Sequence, residues 1–178
     1  MTVLRIALIV VFAYSLNVGA QAPANPISDS VRAGWNTAKR NVLGSAKVMP
    51  ADKYGFKPVD TVRTFGQMLA HVAGANYVFC AAARGEKSPH AEDEFEKSAT
   101  TAAAITKALQ DSIAYCDAAY TALTDAKAGE ILSGAFGGKD SRAGILMGNT
   151  GHNNEHYGNL VTYLRINGLV PPSSAPSR

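Results

Sequence analysis

The chain has 178 residues, with 17 Lys and Arg against 14 Asp and Glu, a formal net charge of +3, and 47% hydrophobic residues. That length supports one domain with a real hydrophobic core and leaves too little chain for two comfortable ones. Without any block of like charge, the near balance argues against nucleic acid as a partner and against a polybasic membrane patch.

The opening, MTVLRIALIVVFAYSLNVGAQA, has one early cation, Arg5, an unbroken apolar run from Ile6 to Ala13, and small residues ending in Val18-Gly19-Ala20. This is the layout of a secretory signal peptide over residues 1 to 20, cleaved after Ala20. The apolar run is shorter than the ~20 residues a membrane span needs, so no stable insertion is expected once it is removed. The expected location is therefore secreted or periplasmic. No Cys follows the cleavage site to carry a lipid.

After a linker, 21 to 26, four helical patterns follow one another. The first runs from about Ser28 to Val48, with Ile27, Val31, Trp35, Ala38, Val42 and Ala46 at three- and four-residue steps and Ser28 or Ser30 as its cap. A connector with two prolines and a glycine, MPADKYGFKPVD, precedes the second, Asp60 to about Arg84, which should bury Val62, Phe65, Leu69, Val72, Asn76 and Phe79, with Asp60 as N-cap. The charged stretch from Glu92 to Lys97 reads as a solvated connector or frayed turn. The third pattern carries Ile105, Leu109, Ile113, Cys116, Tyr120 and Leu123 in one stripe. The fourth starts at Asp140 or Ser141, after the glycine-rich GEILSGAFGGKD, and ends at Asn167-Gly168, with Gly168 as a left-handed cap. Residues 171 to 178, PPSSAPSR, read as a disordered tail.

No strand pattern emerges. Four amphipathic helices with no sheet to cover must bury their stripes against one another, so the expected fold is all-α, a four-helix bundle over 27 to 170. If the helices holding Cys80 and Cys116 are adjacent and antiparallel, the two lie at heights differing by more than the ~7 Å limit between Cα atoms for a bridge. Two buried thiols are expected.

The chemistry concentrates in GHNNEHYGNLVTYLR, residues 151 to 165. At about 100° per residue, Ile145, His152, His156 and Tyr163 fall within about 40° of one another, so both histidines face the core one turn apart. That spacing grips one metal ion, but a tight site usually needs a third protein ligand. His71 is the best remaining candidate, although it lies about 130° from the centre of its helix's apolar stripe. His90, after Pro89, reads as an exposed loop residue.

Two decoys are rejected. HNNEH fits the H-x-x-E-H signature of inverted zincin peptidases, but the 22 residues after His156 contain no acid to serve as a further ligand, and Glu155 turns about 80° away from the histidines. FGGKDS lacks the glycine five before Gly138, has Asp140 where a phosphate loop needs Ser or Thr, and follows no strand pattern.

The stretches MPADKYGFKPVDTVRTFGQMLAHVAGANYVFC at 49 to 80 and NTGHNNEHYGNLVTYLRINGLVPPSS at 149 to 174, with KALQDSIAYCDAA between them, resemble the DinB-like (damage-inducible) superfamily of metal-dependent four-helix-bundle proteins. The resemblance covers roughly 27 to 174. It implies a metal site of His71, His152 and His156 holding a divalent ion, zinc or nickel, for which three imidazoles and water are suited. It also implies a relation to transferases and isomerases that depend on small thiols, where the ion would hold the thiol as a nucleophile. Small thiols are mainly cytoplasmic, whereas this chain is expected to be exported.

The expected function is therefore that of an exported divalent-metal protein, a metal-dependent hydrolase or transferase on a small molecule. The alternative is a non-catalytic metal-binding or interaction module, with a homodimer among its forms. Asn159, one turn beyond His156, and Asn76, polar within an apolar stripe, are candidates to hydrogen-bond the ligands.

Overall fold

The computed structural model describes residues 25–176, so the expected signal peptide lies outside the described residues. Four long helices form the bundle: α1 (Pro26–Val48), α2 (Phe65–Arg84), α4 (Ala102–Ala122) and α6 (Arg142–Ile166). Two short helices, α3 (Glu94–Ser98) and α5 (Asp125–Ala128), and a hairpin of β1 (Ile131–Ser133) and β2 (Lys139–Ser141) occupy the connections. No described helix is long and apolar enough to cross a membrane.

The helices pack in a ring, α1 on α4, α4 on α2, α2 on α6 and α6 on α1. Paired contacts give their directions. A Cβ on Gly66 at the start of α2 would meet Ile105 near the start of α4, and Asn76 reaches Ser112, so α2 and α4 run parallel. Asn153 of α6 bonds Asn76, and Tyr163 bonds the backbone of Arg63, so α6 runs antiparallel to α2. The 85–101 connector must return the chain along α2 before α4 can begin.

This crossover corrects the expectation for the cysteines. Cys80 and Cys116 are joined in a disulfide, with Cα atoms 5.2 Å apart. An antiparallel hairpin would have separated them in height; the parallel arrangement places them level.

Local signals move several boundaries. Asp60 does not cap α2: Thr64 does, its hydroxyl accepting from the Gln67 amide while the Gln67 side chain accepts from the Thr64 amide. This reciprocal box satisfies two of the donors a helix start leaves open. Val62 therefore lies outside the helix and is exposed. Asn25 precedes α1, and Ser28 instead bonds Asp125 at 2.7 Å, while Ile27 is turned to solvent. Ser141 caps α6, and Gly168 adopts φ 72° beyond its end.

The hairpin was not visible as alternation because each strand has only three residues. Its turn uses Gly137 and Gly138 at φ 98° and 72°, where a side chain would be strained. The described part of the tail, 171–176, is also more ordered than its composition implies. Pro172 packs beside Gly44, leaving no room for a Cβ there, and the Tyr157 hydroxyl meets both the Ser173 amide and its hydroxyl.

Candidate metal centre

α2 is buried on nearly every face, because α4, α6 and the α3 connector surround it. An apolar-stripe wheel therefore misjudges His71: it points not at the centre of the bundle but at α6, and is still buried. His71, His152 and His156 come together between α2 and α6, their ligand atoms all within 4.8 Å of one another. Nε2 of His152 lies 3.2 Å from Nε2 of His71 and 3.0 Å from Nε2 of His156.

The donor set fits a metal ion. Two nitrogens at ~2.05 Å from one ion are separated by about 3.3 Å in tetrahedral and about 2.9 Å in octahedral geometry, which brackets both spacings. Each nitrogen contact can share only one proton, whereas one cation answers all three lone pairs. Burial pushes the His152 pKa down to about 3, helped by the neighbouring His156, His71 and Arg63. Burial, then His71, also lowers that of His156. Both rings are thus held neutral, the form that ligates metal.

His71 is oriented from behind. Its Nδ1 meets Glu96 Oε1 at 3.0 Å, while Arg63 Nε donates to the other oxygen, Glu96 Oε2, at 2.9 Å. With Nδ1–H donated to a carboxylate, Nε2 carries the lone pair that faces α6. Glu92 stands on that other side, its Oε1 3.8 Å from Nε2. Gly74 lets the connector come this close: a Cβ there would lie 1.9 Å from the Glu92 carbonyl oxygen.

Beneath the histidines is a buried amide layer. Asn153 Nδ2 donates to Asn76 Oδ1 at 2.8 Å, Asn76 Nδ2 donates to Ser112 Oγ at 3.2 Å, and Asn149 Nδ2 donates to the Tyr120 hydroxyl at 3.2 Å. The Tyr120 hydroxyl donates to the Leu146 carbonyl oxygen at 2.7 Å, and burial raises its pKa to about 12. Asn76 thus supports α6 through Asn153, not a histidine directly. Asn159 does not reach the site: it is exposed on α6 and forms none of the hydrogen bonds of the three histidines. His90 is half-buried, bonded to Glu94 at 2.8 Å and packed on Tyr77.

Sequence reasoning missed Glu96, Glu92, Asn149 and Asn153. The two asparagines had a signal, since they interleave with His152 and His156 at three- and four-residue steps. The glutamates had none, because their contacts depend on how the connector folds back.

A family model described as the DinB superfamily matches residues 35–160, a span that includes all three histidines. The chain belongs to the DinB superfamily. Its fold is similar to that of a DinB-like protein from Bacillus cereus ATCC 10987, with a TM-score of 0.68 at 17% identity, over 84% of this chain and 97% of that one. A DinB-like protein from Bacillus subtilis gives 0.58 at 20% identity, covering 78% and 92%. A mycothiol-dependent maleylpyruvate isomerase gives 0.62 at 18% identity, where 75% of this chain matches 60% of that one. No curated protein matches the sequence.

Proposed function

We propose that this DinB superfamily member is an exported, metal-dependent transferase or hydrolase acting on a small molecule, with zinc or nickel held by His71, His152 and His156. The observation that carries the reading is the convergence of three imidazole Nε2 atoms, with His71 oriented by Glu96. A bound divalent ion would lower the pKa of a water or thiol at its open position and polarise a carbonyl there.

The chain's own residues then have distinct tasks. Arg63 fixes Glu96, Glu96 fixes the tautomer of His71, and the Asn153–Asn76 bond sets the height of α6 against α2. Phe79 packs on His152 at 5.7 Å between centroids, and the exposed Phe136 of the hairpin packs edge-on against Phe79 at 5.1 Å. Together they make the surface beside His152 apolar, suited to a substrate with an apolar part.

The mycothiol dependence of the isomerase makes thiol transfer the first reaction to try. The test is turnover by zinc- and nickel-loaded protein against thiol-acceptor, ester and amide panels, beside H152A/H156A. Activity present with metal and lost in the variant supports the reading. Fully metal-loaded protein inert across all three panels would overturn the catalytic part.

A further inference from the structure

Two carboxylates straddle one imidazole. Glu96 takes Nδ1 of His71 at 3.0 Å, and Glu92 Oε1 stands 3.8 Å from Nε2, the nitrogen that turns towards His152. Glu92 is too far out to be a fourth ligand: among the described residues, the ligand-atom cluster closed within 4.8 Å comprises the three histidines alone. It stands one step out, at hydrogen-bonding reach of a group bound next to His71.

The placement is built into the backbone. Gly74 lies one turn beyond His71 on α2, and the 91–92 backbone sits where its Cβ would be. The Ala91 amide donates to Glu94 Oε2 at 3.3 Å and His90 Nδ1 meets Glu94 Oε1 at 2.8 Å, which fixes the connector on either side. The Glu92 side chain is 40% exposed, so it faces the solvent side of the site, from which a ligand must enter. A carboxylate turned towards nitrogen lone pairs is repelled by them unless a cation, or a donor held by one, lies between.

Resting on the metal reading above, we propose that Glu92 is a positioning residue that accepts a hydrogen bond from whatever occupies the open metal position. It thereby selects neutral, proton-bearing groups such as a hydroxyl, thiol or water over anions that carry no proton. A fixed negative charge beside the position repels the latter and rewards the former.

The test uses protein loaded with cobalt(II) as a spectroscopic stand-in, titrated with azide, an anion with no proton to donate, and with hydroxylamine, a neutral ligand that keeps its protons when bound. Parent, E92Q and E92A are compared at equal metal content, with helicity checked by circular dichroism. Azide should bind about tenfold tighter to E92Q, and hydroxylamine about tenfold weaker to E92A. Dissociation constants for both probes unchanged across the three proteins would overturn the proposal. A parent that takes up no cobalt, zinc or nickel would instead sink the metal reading on which it rests, so the two failures are distinct.

Discussion

Glu96 and His71 are 25 residues apart in sequence and meet at 3.0 Å, carboxylate to Nδ1, with Arg63 holding the far oxygen of the same carboxylate. This contact decides which nitrogen of His71 faces α6. Replacing Glu96 with Ala should lower zinc affinity about 10- to 100-fold with the fold intact, the range typical for partners that orient a ligating histidine. Competition against a chromophoric chelator measures it; unchanged affinity would mean that His71 needs no such partner.

Gly74 and Gly158 should respond oppositely to alanine. At Gly74 the new Cβ would meet the Glu92 carbonyl oxygen at 1.9 Å, forcing the connector off α2. A loss of about 1–3 kcal/mol is expected, as for other overpacked positions, together with weaker metal binding. At Gly158, within α6, a Cβ meets nothing within 4 Å, so the helix should gain about 0.5–1 kcal/mol. Urea denaturation of both variants checks the signs.

The Cys80–Cys116 bridge links parallel helices across a separation of 36 residues. Replacing both cysteines with alanine should cost about 2–4 kcal/mol, mostly through the unfolded chain. Asn149 Nδ2 lies 3.7 Å from each sulfur and its neighbour Asn153 reaches Asn76, so metal affinity should fall as well. Denaturant midpoints with and without reductant, on metal-free protein, measure the first effect.

The fold was legible because four apolar stripes of helical period run through the chain; Val31, Trp35, Leu109 and Ile113 are buried as their spacing implies. Helix direction was not. Nothing in the 85–101 segment announces that it doubles back along α2, and on that point hang both the disulfide and the contacts of Glu92 and Glu96. The metal candidates were only half legible. His152 and His156 declare themselves by a four-residue spacing in one helix, whereas His71 defeats the wheel because α2 is enclosed by three neighbours rather than one. Val62 and Asp60 misled for a local reason: Thr64 and Gln67 form the better cap four residues later.

Stability of the metal-free protein should fall on acidification. His152 and His156 have folded pKa values below the ordinary 6.5, His152 at about 3. Above 6.5 these rings are neutral in both states and contribute no slope. Between 6.5 and the folded values the unfolded chain binds protons that the folded one does not, so stability declines as pH drops through that window. Melting temperatures of H152A/H156A should slope less than those of the parent from pH 7 to pH 4. Bound metal should be released over the same range, because protons compete for the same nitrogens.

The most direct test of the metal centre is elemental analysis of the protein purified without chelator or affinity metal, beside H152A/H156A. About one equivalent of zinc or nickel in the parent and near none in the variant is the predicted result. A folded, helical parent that stays empty after incubation with several divalent ions would contradict it.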